Sequence, residues 1–87
     1  MKNYYSTVEE IVTTFSDISI DNFSESIMVR FEKPIDTGFA FAEYRLPSRV
    51  NIKCYGFSED ELFELEDYLI CNESLIWELA REVSKSA

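Results

Sequence analysis

At 87 residues the chain has room for one hydrophobic core and no second. Its formal charge of −9, from 17 acids against 8 bases, works against nucleic acid or an anionic membrane as a direct partner and favours a cationic one. It contains no histidine, which removes the commonest general base, the commonest metal ligand and the usual pH switch together.

Leu, Ile, Val and Phe supply 26 of the residues, well above the disordered range, so a packed core is expected. No apolar run approaches the roughly 18 residues of a membrane span. The opening Met1-Lys2-Asn3-Tyr4-Tyr5 lacks a charged-then-apolar signal pattern, so a cytoplasmic protein is the expectation. Cys54 and Cys71 are a thin basis for a disulfide framework, and without histidine they make no zinc site; they read as buried thiols.

Residues 4–16 read as a first helix, since Tyr4, Val8, Ile11, Val12 and Phe15 recur at helical spacing and Ser6 with Glu9 forms a potential capping box. Residues 17–21 alternate with period two and predict a short strand, followed by a polar turn over 22–26 interrupted by Phe23. The clearest strand is 27–33, with Ile27, Val29 and Phe31 facing inward. Pro34 should end it, and Asp36-Thr37-Gly38 supplies turn chemistry.

In the next strand, Gly38 to Leu46, Phe39 and Phe41 claim one face while Tyr44 and Leu46 claim the other. A bulge near Ala42 would reconcile them; aromatics on both faces is the alternative. Pro47-Ser48 breaks the strand, and 50–55 alternates again with Val50, Ile52 and Cys54 inward. The predicted architecture is α+β. It consists of an N-terminal helix, an antiparallel meander of three to four strands, and a C-terminal helix packed on one sheet face.

That last helix opens with a capping box, Ser58 to Glu61, and a hydrophobic staple between Phe57 and Leu62. At 100° per residue its core face is Leu62, Leu65, Leu69, Ile76, Ala80 and Val83. A second line about 110° away holds Phe63, Ile70 and Trp77, each with a glutamate four residues earlier (Glu59, Glu66 and Glu73). This line needs a cover: the first helix, a second copy across a two-fold, or another protein. The phase holds only if one helix runs through Cys71-Asn72-Glu73-Ser74. Such a helix would be about 40 Å long, so a break or kink near Asn72 is the preferred reading.

Residues 59–67 hold six acids and no base: Glu59, Asp60, Glu61, Glu64, Glu66 and Asp67. That is roughly one charge per 2 Å of helix, close to the value of about 1.7 Å for duplex DNA. Five of the eight bases (Arg30, Lys33, Arg45, Arg49, Lys53) lie on or beside the strands, which leaves the helix strongly negative. Two readings stand: a solvated helix face whose first acids suit the helix dipole, and a mimic of a phosphate track.

Catalytic chemistry finds no footing. Ser–His and Cys–His nucleophiles are excluded by composition, Gly38 and Gly56 stand alone, and residues 59–67 lack calcium-loop spacing. No catalytic residue, cofactor or metal is expected. Tyr44, Tyr55, Arg30 and Lys53 hint at an RNA-stacking sheet face, which the net charge opposes.

In size, charge and helix–strands–helix layout the chain resembles phage-borne inhibitors of host defence nucleases, anti-CRISPR proteins among them. It is equally similar to toxin-neutralising immunity proteins. The likeness extends over the whole chain and rests on no motif, so it transfers no functional residues. It implies a non-enzymatic inhibitor that occupies the basic surface of a nucleic-acid-handling partner, with the six acids supplying charge and Phe63, Ile70 and Trp77 as apolar anchors. The alternative is a structural subunit that forms a homodimer through the Trp77 line.

Overall fold

The computed structural model describes residues 2–86 and contains one antiparallel sheet and one long helix. The strands are β1 (Lys2–Val8), β2 (Ile11–Ser16), β3 (Ser19–Asp21), β4 (Ser24–Ile35), β5 (Gly38–Leu46) and β6 (Val50–Tyr55), and α1 spans Glu59–Ser86. The sheet order is β1-β2-β4-β5-β6, with β3 pairing the start of β4. Because β2 pairs Val29–Glu32 of β4 and β3 pairs Ser24–Ser26, the two short strands act as one bent strand along β4. The result is a meander, as expected, but with more strands.

The expected N-terminal helix is absent: residues 2–16 form the β1–β2 hairpin. The segment is rich in β-branched and aromatic residues, which sit better on a pleated surface than in a helix. Its apolar spacing satisfies both periods. The deciding feature is the turn, where Val8 pairs Ile11 and both Glu9 (φ 50) and Glu10 (φ 70) adopt left-handed backbone. That is type I′ hairpin geometry, carried here by two glutamates instead of the usual Asn-Gly. The β3–β4 hairpin repeats the device at Asn22 (φ 50) and Phe23 (φ 66) and holds Phe23 fully exposed at its tip.

The core lies between one sheet face and α1. The sheet contributes Phe15, Ile27, Val29, Phe31, Ala42, Tyr44 and Leu46, and the helix contributes Leu65, Leu69, Ile76 and Ala80. Leu62 and Val83 pack at the margins, so the predicted core stripe holds throughout. A chain of edge-to-face rings crosses the layer: Tyr44 against Phe31 at 5.9 Å, Phe31 against Tyr68 at 6.2 Å, and Tyr68 against Tyr5 at 6.4 Å.

Several expectations are corrected here. Pro34 does not end β4 but pairs Phe39, at a position beyond the reach of β2, where its missing N–H costs no ladder bond. In β5 no bulge rotates the aromatics: Ala40, Ala42, Tyr44 and Leu46 face the helix, and Phe39 and Phe41 face the other side. The register shift falls on β6, where Glu43 pairs Lys53 and Tyr44 pairs Asn51, leaving Ile52 as the extra residue. Every residue of β6 is exposed, including Val50, Ile52 and Cys54, and this edge strand contributes nothing to the core. Both thiols, Cys54 and Cys71, are therefore exposed and free, not buried.

α1 is one helix of 28 residues and does not break at Asn72. The Asn72 amide turns inward: its Nδ2 donates to the Tyr68 carbonyl at 2.7 Å, and its Oδ1 accepts the Tyr5 hydroxyl at 2.5 Å. A residue that would otherwise favour a break is held by a partner 67 positions away. The helix continues to Ser86. Among the described residues no helix is long and apolar enough to cross a membrane.

Candidate functional site

The start of α1 is built as its sequence promises. Ser58 N donates to Glu61 Oε1 at 2.9 Å and Glu61 N donates to Ser58 Oγ at 3.2 Å, a reciprocal capping box. The Ser58 amide, with help from Lys33 at 3.7 Å, holds the Glu61 carboxyl below its ordinary range. Gly56 (φ 82) brings the chain off β6 so close to β5 that a Cβ there would sit 2.9 Å from Ala40 Cβ.

The six acids separate into three groups. Glu61 is capped and paired with Lys33. Glu66 accepts the hydroxyl of fully buried Tyr44 at 3.2 Å, and burial, aided by this carboxylate, pushes the Tyr44 phenol well above its ordinary value. Glu59, Asp60, Glu64 and Asp67 have no ion-pair or hydrogen-bond partner among the described residues. These four give about one unengaged charge per 3 Å of helix, nearer the 3.4 Å spacing of a single DNA strand than that of a duplex.

Of the eight bases, five are paired with an acid: Lys33 as above, and Lys2, Arg30, Arg49 and Arg81. Arg30 lies on the helix-free sheet face, 3.2 Å from Glu32 and 2.7 Å from Glu43, with its guanidinium 4.5 Å over the Phe41 ring. Lys2 joins Glu32, and Arg49 joins Glu73 at 2.9 Å. Arg81 grips Glu25 through both oxygens, an arrangement that lowers the Glu25 carboxyl and raises the guanidinium. The helix keeps nine acids against two bases, and so seven of the nine net charges.

The apolar line is only partly open. Phe63 and Ile70 are 66% and 54% exposed, and no first helix exists to cover them. Trp77 packs against the core margin with Arg81 5.3 Å above its ring, so it is not a free anchor. The proposed RNA-stacking set is divided by the sheet: Tyr44 is buried under α1, while Tyr55 stacks on Phe41 on the opposite face.

One cavity was not foreseen. Between the β1–β2 turn and the first turns of α1 lies a cleft of about 250 Å³, walled by Val8, Ile11, Phe31 and Leu65 and rimmed by Glu9, Glu61, Glu64 and Lys33. Thr13 and Tyr68 complete the lining. Sequence reasoning missed it because a helix was expected where the hairpin stands; Thr13, a polar residue between apolar Ile11 and Phe15 on the inward face, was the available signal. Among the described residues no group of three or more His, Cys, Asp or Glu converges to hold a metal ion. Compared with known protein families, curated proteins and solved structures, the chain finds no match in any of the three.

Proposed function

We propose that this chain is a non-enzymatic binding protein whose helix occupies a basic surface on a nucleic-acid-handling protein and inhibits it. The observation that carries this reading is the unengaged state of Glu59, Asp60, Glu64 and Asp67 in a protein that pairs five of its eight bases with other acids. A strip of uncompensated charge on a rigid helix costs stability through self-repulsion, and a cationic groove would offset that cost. Phe63 and Ile70 flank the strip and would add apolar contact at its margin. The likeness to anti-CRISPR and immunity proteins now rests on size and charge, because the chain opens with a hairpin; the charge-based mechanism does not depend on it.

The test is capture from the native host with wild type and with Glu64→Lys combined with Asp67→Lys. Neither residue has a partner to lose, so folding stability should stay within about 0.5 kcal/mol. The complex should weaken at least tenfold, and wild-type affinity should fall steeply with salt. The captured protein should lose nucleic-acid binding while complexed. A complex indifferent to both salt and charge reversal would remove the mechanism.

A second reading has its own observation. Exposed Phe63 and Ile70 lie on an uncovered helix flank, and β6 is a sheet edge with no outer neighbour, a combination suited to a homodimer. Sedimentation at micromolar concentration decides it, because a monomer there excludes the dimer.

A further inference from the structure

We propose that the cleft between the β1–β2 turn and the first turns of α1 is a socket for one lysine or arginine side chain of the partner, an inference that rests on the acidic-helix reading above. At about 250 Å³ it falls below the roughly 300–1,000 Å³ of small-molecule pockets and suits a single long side chain. Its walls at Ile11, Phe31 and Leu65 match the methylene stem that Lys and Arg lay along apolar surface.

The charge of the rim selects the head group. Lys33 and Glu61 neutralise one another at 3.7 Å, while Glu9 and Glu64 have no partner among the described residues. The opening therefore carries two uncompensated carboxylates, which attract a cation and repel an anion.

Thr13 supplies the independent observation. It is 2% exposed and lines the cleft. Its hydroxyl is a polar acceptor set in a wall otherwise formed by Val8, Ile11, Phe31 and Leu65. An ammonium or guanidinium N–H can donate to Thr13 Oγ1. Glu64 belongs to both the rim and the unengaged strip, so a basic surface laid along Asp60 and Asp67 passes over the socket mouth.

The probes are n-butylguanidinium and n-butylammonium, titrated at low salt into the ¹⁵N-labelled chain, with n-butanol and butyrate as controls. Saturable shifts are expected at the amides of Thr13, Glu64 and Leu65, with dissociation constants on the order of millimolar, as befits so few atoms. Butanol and butyrate should bind at least tenfold more weakly. Thr13→Val should weaken the cations severalfold while leaving the acidic strip intact, and Glu64→Gln should weaken them too. Equal binding of butanol, or cation shifts centred on Asp60 and Asp67 instead of Thr13, would overturn the socket, as would a Thr13→Val chain that binds the cations undiminished. The two readings fail separately. If Thr13→Val captures the partner as wild type does and the cations leave the cleft unperturbed, the socket is wrong and the strip stands. If the cations bind in the cleft but Glu64/Asp67 reversal leaves capture unchanged, the strip is wrong.

Discussion

The contact between Tyr5 and Asn72 is the most informative place to perturb the fold, because it decides whether α1 is one helix. Tyr5→Phe removes a hydrogen bond of 2.5 Å between half-buried partners, at a cost of about 1 kcal/mol. Asn72→Ala removes the same bond and the 2.7 Å bond to the Tyr68 carbonyl, but it gains about 0.6 kcal/mol of helix propensity. Its net cost should therefore be smaller, about 0.5–1 kcal/mol. If the bond is shared, the double variant costs about 1 kcal/mol less than the sum of the singles. Urea titrations followed by far-UV circular dichroism and by Trp77 fluorescence, extrapolated linearly, measure all four corners of the cycle. A coupling under about 0.3 kcal/mol would show that the two side chains act independently, and the account of the unbroken helix would fail.

Two further predictions concern the sheet. Gly56→Ala must hold left-handed backbone and push a methyl within 2.9 Å of Ala40 Cβ, so it should cost about 2 kcal/mol or more and lower the melting temperature by roughly 8 °C or more. Gly38→Ala meets no atom within 4 Å and bears only the backbone strain of φ 133, so its melt should fall less; the reverse order would contradict the packing described. Tyr5 and Tyr44 both titrate above the ordinary value of 10: burial is the main cause in each, aided by Tyr68 for the first and by Glu66 for the second. The folded state holds these protons more tightly than the unfolded one. Their contribution is therefore complete below pH 10 and lost as pH climbs above it. Urea midpoints should decline through that range, less so in Tyr44→Phe, and a midpoint that rises there would refute the assignment.

The parts of the fold that were legible in the sequence are those governed by local chemistry. The Ser58–Glu61 box, the Leu65–Leu69–Ile76–Ala80 face and the inward Ile27–Val29–Phe31 all follow from spacing within a few residues. The β1–β2 hairpin was not legible because its turn uses Glu9 and Glu10 in a conformation that glutamate seldom adopts, and its apolar positions fit either period. The exposure of Ile52 and Cys54 was hidden because alternation cannot tell an edge strand from a central one. For the candidate site, the abundance of acid was plain. Which acids stay unengaged was not, since Lys33 and Tyr44 reach Glu61 and Glu66 from strands far away in sequence. The cleft depends on the hairpin and shares its obscurity.

The concentration of charge on α1 has a kinetic corollary. With seven of nine net charges on the layer that covers one face and the opposite face internally compensated around Arg30, the molecule carries a permanent electric moment directed across its thickness. In the field of a cationic body it experiences a torque before any atoms touch, and it turns helix-first during approach. Productive encounters then become a larger share of all collisions, and the gain fades as the ionic atmosphere contracts.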